Sequence, residues 1–289
     1  MVRAAIPTAT GRARSAPLGF AAGGAVGVLG GMIGLGGAEF RLPLLIGLFG
    51  FAALSAVILN KAMSLVVVLT ALPARLAAVS FTDLGAHGAV ALNLLAGSLL
   101  GAWAGASWAV RMRSATLYRV LAVLMAAMAA ALVLTHTTAL GSLSLSLSLP
   151  LPVRVVAGVV AGFGIGVVAA IMGVAGGELL IPTIVLLYGI DIKVAGSLSL
   201  LVSLPTMLVA FARYSRDGSF AVLGANLRFT AIMASGSIAG ALLGGLLLGT
   251  VPETVLIPAL AAILLISATK VAHHAHPDGG AVHRPPRLR

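Results

Sequence analysis

Two glutamates stand inside otherwise apolar stretches, Glu39 in GLGGAEFRLP (34–43) and Glu178 in GVAGGELLIP (173–182). A carboxyl group placed within a membrane-length apolar run is costly and marks a functional site by default. Each follows a run of glycines and precedes a proline by four positions. Glycine tolerates backbone conformations closed to other residues, and proline fits the first turn of a helix, where its missing N–H would have no partner anyway. The motif therefore predicts a break, with one helix ending at the glycines and a second starting in the middle of an apolar region. Such irregular backbone survives at membrane depth only when buried in protein or lining a watery cavity. The free N–H groups and positive dipole end of the second helix make an anion site. Its expected lining is Gly34, Gly36, Gly37, Ala38, Glu39 and Pro43 from one motif and Gly173, Gly176, Gly177, Glu178 and Pro182 from the other.

Three roles are open to Glu39 and Glu178: capping orphan N–H groups, carrying protons for coupled transport, or simple exposure at an interface. A charged carboxylate beside a bound anion repels it unless protonated, so proton binding and anion binding are expected to be linked. Hydroxyls at Ser64, Ser197 and Ser199 are candidate donors to an oxyanion, with Thr70, Ser203 and Thr206 on comparable ground. Their plain structural alternative is a bond back to a helix carbonyl. Lys61, preceded by Asn60, has a stem long enough to snorkel to the interface. Arg41, two residues after Glu39, either favours an anion directly or snorkels. Arg75 pairs with Asp83 or meets substrate.

The two motifs belong to a duplication. An offset of 139 positions aligns them without a gap, and the same offset aligns GSLLGAWAG (97–105) with GSIAGALLG (236–244). Internal self-similarity at one fixed offset marks repeated structural units. Small residues at this spacing let helices approach closely in lipid, so packing is the expected role of these stretches, with Trp103 filling space between helices. The chain divides into a basic tail (1–17), a first membrane repeat (18–135), a linker (136–152), a second membrane repeat (153–270) and a basic, His-containing tail (271–289). Eight apolar segments have about the 20 residues needed to span a bilayer; the two at 39–51 and 177–190 do not.

Composition agrees with this placement. Of 289 residues 60% are hydrophobic and 9% charged, and the mean hydropathy is +1.13; a soluble domain carries about 25% charged residues. The long continuous apolar runs argue against a transmembrane β-barrel, whose strands alternate. The first run outlasts a signal peptide's apolar core and shows no convincing cleavage site. The net charge of +11 comes from Lys and Arg in tails and short connections, where they orient helices rather than bind nucleic acid. With the N-terminal tail inside, the Arg111–Arg113–Arg119 and Arg213–Arg216 groups and the C-terminal tail fall on the same side. Each repeat then crosses an odd number of times, which makes the repeats inverted, as in many secondary transporters. Absence of cysteine excludes disulfides, thiolate metal sites and a Cys nucleophile. No HExxH, Ser/His/Asp grouping or phosphate-binding loop is present, and His273, His274, His276 and His283 on a polar tail make no specific metal site. No enzyme, cofactor or metal is expected.

In these features the chain resembles the sulfite exporter TauE/SafE family of membrane proteins. The likeness rests on its length, its internal duplication, and a glycine-rich stretch followed by proline in each half, GMIGLGGAEFRLPLL and AIMGVAGGELLIPTI, with G-S-x-x-G-A-x-x-G further on in both. It covers about residues 18–270. Ala38 and Ala175 stand where family members often carry glycine, and Arg41 is an additional cation. The resemblance implies a transporter of sulfur oxyanions or small organosulfonates in the cytoplasmic membrane of a bacterium. The full expectation is an all-α polytopic membrane protein of two inverted repeats, each a broken or re-entrant helix pair plus three spanning helices. It would act as a secondary transporter by alternating access, with a small anion and the lipid bilayer as partners, both termini cytoplasmic, and a homo-oligomer compatible with it. A channel-like anion pore of the same fold and a structural subunit of a membrane complex are the rival readings.

Overall fold

Apolar runs with no charge to anchor them in water satisfy their backbone only as helices, and helices are what the chain forms. The computed structural model describes residues 15–33, 37–78, 85–137, 150–216, 218–247 and 252–274, and contains no strand among them. The first half holds α1 (Ala16–Ile33), α2 (Ala38–Gly47), α3 (Ala53–Ala78), α4 (Gly88–Arg111) and α5 (Ser114–Thr137). The second holds α6 (Leu151–Met172), α7 (Gly177–Tyr188), α8 (Ile192–Ser215), the short α9 (Ala221–Ala225), α10 (Leu227–Leu246) and α11 (Glu253–His273). Helix starts keep the sequence offset: Ala38/Gly177, Ala53/Ile192, Gly88/Leu227 and Ser114/Glu253 are each 139 positions apart.

Among the described residues seven helices are long and apolar enough to cross a membrane, namely α3, α4, α5, α6, α8, α10 and α11. The expected eighth span, 18–37, coincides with the apolar helix α1, described as far as Ile33; residues 34–36 lie outside the described residues. The single segment expected over 220–248 is divided at Asn226, whose backbone leaves helical values (φ −124°, ψ 21°). The linker residues 138–149, together with His276, His283 and Asp83, lie outside the described residues, as do the side chains of 71–78, Arg75 included.

The halves are interleaved rather than laid side by side. α1 packs along α10 and α4 along α6, so the first helix of each half lies against the fourth main helix of the other; α5 meets α11 and α3 meets α8 across the same relation. Small residues make the two long seams. On α1, a Cβ added to Gly23, Gly27 or Gly31 would run into the α10 backbone at Met233, Ser237 or Ala241. Gly236, Gly240 and Gly244 stand in the same relation to Phe20, Gly24 and Val28. The other seam repeats it, with Gly97, Gly101 and Gly105 against Val159, Phe163 and Val167, and Gly162 and Gly166 against Leu94 and Ser98. The packing role expected of these glycines is therefore played between the halves. Trp103 does not fill such a seam. It is 38% exposed, and the guanidinium groups of Arg213 and Arg216 stand 5.8 and 4.8 Å from its ring centre, within reach of a cation–aromatic attraction.

Candidate functional site

Both motifs form breaks, and glycine makes them. Gly37 takes a left-handed conformation (φ 69°, ψ 19°) immediately before α2. At the second break Gly173 (φ 71°) closes α6 and Gly176 (φ 86°) opens α7. These backbone angles penalise any residue with a Cβ. Gly34 and Gly36 lie outside the described residues.

The prolines are not where the motif predicts. Pro43 and Pro182 lie inside α2 and α7 rather than in their first turns. In a helix the N–H of residue i bonds to the carbonyl of i−4, so Pro43 and Pro182 remove the bonds that would have held the carbonyls of Glu39 and Glu178. Their role is to loosen the helix at each glutamate, not to start it.

Helix geometry leaves the amides of Ala38, Glu39, Gly177 and Glu178 without acceptors in their own helices, since the first bonds are Phe40 and Arg41 N–H to Gly37 O and Leu179 and Leu180 N–H to Gly176 O. The carboxyl of each glutamate lies beside its own backbone N–H, and the two carboxyls lie within interaction reach of each other although 139 residues separate them. Glu39 is 3% exposed. Its Oε2 and both carboxyl oxygens of Glu178 are buried without a hydrogen bond of good geometry. Interfacial exposure is thus ruled out for Glu39, and for the carboxyl oxygens of Glu178.

Helix α3 of the first half supplies what joins the breaks. Asn60 Nδ2 donates to Ala38 O (3.0 Å) at the first break and to Met172 O (3.2 Å) at the second. Lys61 Nζ donates to Ala169 O and Val174 O, both at 2.7 Å, and Glu178 is the carboxylate that feels its charge. Ser64 Oγ donates to Gly173 O (3.3 Å), while Tyr214 Oη from α8 donates to Ala170 O (3.0 Å). The carbonyls around the end of α6 therefore receive side chains from α3 and α8, and the negative end of α6 faces an ammonium group, a favourable arrangement. Lys61 is fully buried, so snorkelling is overturned. It lies eight residues into α3, about 12 Å along the axis at 1.5 Å per residue.

Arg41 is fully buried as well, not snorkelling. Its Nη1 donates to Asn60 Oδ1 and Ser64 Oγ at 3.4 Å each, and its Nε and Nη2 are buried without partners. The serines divide. Ser64 joins the breaks, and Ser199 approaches the start of α7, its Oγ 3.9 Å from where a Cβ on Gly177 would sit. Ser199 nevertheless bonds to Gly196 O (2.8 Å) and Ser197 to Lys193 O (3.4 Å). Thr70 and Thr206 also bond back into their helices, as the plain structural alternative expects. Asn60 was not among the expected site residues, though a polar pair at 60–61 in the middle of an apolar segment is the signal that points to it.

A chain of interleaved helical halves, with two glycine breaks meeting around buried carboxyl, ammonium and guanidinium groups, is a multi-pass membrane protein of the transporter class. The match with known families is specific: a family model described as sulfite exporter TauE/SafE covers residues 1–132 and 134–285. The chain belongs to that family, one of membrane transporters of sulfur-containing anions. No curated protein and no solved structure gives a match.

Proposed function

We propose that the chain is a secondary transporter that moves a small sulfur-containing anion, sulfite or an organosulfonate, across the bacterial cytoplasmic membrane by alternating access. The observation that carries this reading is the contact between the breaks. Asn60 bonds both Ala38 O and Met172 O, so a bound solute would touch both breaks, and a shift of one break against the other would change its access. In this reading the repeats are inverted, both termini are cytoplasmic, and the amides opening α2 and α7 bind the anion, joined by Ser64 and Ser199 once their hydroxyls turn from Gly173 O and Gly196 O.

The adjoining carboxyls support proton coupling. Two such groups in reach of each other are joined by a shared proton or repel, and an arriving anion favours the protonated arrangement. Glu39→Gln and Glu178→Gln are each expected to flatten the dependence of sulfite flux on pH, measured as radiolabelled sulfite uptake by proteoliposomes at a series of imposed pH gradients. Wild-type slopes in both variants would leave the carboxyls with a structural role only. Saturable flux that responds to a pH gradient supports the transporter, whereas ohmic, non-saturating currents would replace it with a pore.

A further inference from the structure

We propose that Arg41 sets specificity at this site, its Nε–Nη2 edge gripping two oxygens of one oxyanion side-on. The inference rests on the transporter reading for its location but on its own observation for its chemistry. A guanidinium is planar, and its Nε–H and one Nη2–H point the same way, which forms a fork matched to two oxygens of a carboxylate, sulfite or sulfonate. In Arg41 that edge is the one without partners, while Nη1 on the opposite side is held by Asn60 and Ser64. Those two residues bond the carbonyls of Ala38, Met172 and Gly173, so the fork sits where the breaks meet. A fully buried cation with two idle donors is costly unless something completes it. Glu39 does not, since it is near enough to feel the charge of Arg41 yet its own Oε2 is unpartnered.

The fork has no twin. The residue 139 positions further on is Leu180, buried in an apolar cluster. The arrangement is one-sided despite the duplication, and accommodates one oxyanion rather than two. The selectivity follows from shape: a halide presents one sphere and gains little from a fork over a point charge, whereas an oxyanion loses a bond and its orientation when the fork is replaced.

The test uses the full chain in proteoliposomes with radiolabelled sulfite, and methanesulfonate and chloride as competitors, beside calorimetric titration of sulfite into the detergent-purified protein. In the wild type, methanesulfonate is expected to compete at least tenfold better than chloride. Arg41→Lys, which keeps the charge but not the fork, is expected to raise the half-saturating sulfite concentration at least tenfold while chloride inhibition stays within about twofold. Wild-type sulfite affinity in Arg41→Lys would overturn the proposal and leave Arg41 as a counter-charge for Glu39. Equal competition by chloride and methanesulfonate in the wild type would overturn it even if the variant fails to fold. Arg41-dependent sulfite binding without any flux would uphold the fork and remove the transporter reading; wild-type protein that binds neither sulfite nor methanesulfonate would remove the fork.

Discussion

Replacing Lys61 with methionine is expected to destabilise the protein by about 3–5 kcal/mol, the usual penalty for removing one partner of a buried charge arrangement. Methionine fills the volume of the stem but leaves Ala169 O and Val174 O without the 2.7 Å bonds they receive from Nζ. It also leaves the Glu178 carboxyl without the cation that faces it. The second loss is reversible by design. Lys61→Met/Glu178→Gln removes the orphaned charge and should recover part of the stability, so that the double variant unfolds later than Lys61→Met alone. Denaturant or thermal unfolding of the detergent-solubilised protein reads both. A single variant as stable as the wild type would show that Lys61 does not hold the second break. A double variant less stable than the lysine variant would show that Glu178 is not its electrostatic partner.

The second large effect concerns the seams. Gly166→Leu is expected to cost about 3 kcal/mol or more, at or above the top of the ordinary overpacking range, because the new side chain meets the backbone at Ser98 and Ala102 rather than a flexible side chain. Gly27→Leu should do the same, since Gly27 faces Ser237 and Ala241 in the equivalent seam. Gly164→Leu is the internal comparison. It changes the same helix two positions away, where an added Cβ meets nothing within 4 Å, and exchanging glycine for leucine inside a helix is favourable by several tenths of a kcal/mol. Its unfolding should match or exceed that of the wild type. If Gly164→Leu and Gly166→Leu lower stability equally, the tight contact of α4 with α6 is not what holds the halves together.

Much of this architecture is legible in the sequence because its signals are local or periodic. The offset of 139 is visible as letters before it appears as helix starts, and glycine runs beside a lone carboxylate announce a break without any partner being known. What escapes is whatever depends on who meets whom. Proline reads equally well as a helix starter or as a gap in the bond ladder, and only the helix bounds show that Pro43 and Pro182 do the second. Lys61 reads as an interfacial residue because its partners are main-chain carbonyls 108 and 113 positions away, and carbonyls have no signature in a sequence. The same holds for Arg41. From sequence it could contact an anion or snorkel, and only the structure shows it fully buried with Nη1 on Asn60 and Ser64.

The exchange of helices between the halves bears on how the molecule is made. When α1 leaves the ribosome, the helix it will lie against is about two hundred residues from being synthesised. Its glycine-lined face must wait in lipid or be shielded by the insertion machinery until α10 arrives. The first half, released alone, would present that unpaired face and an α4 lacking α6, which makes it a poor autonomous unit and a ready substrate for quality-control proteases. Two separately encoded halves expressed together should instead find each other, because every long seam lies between them.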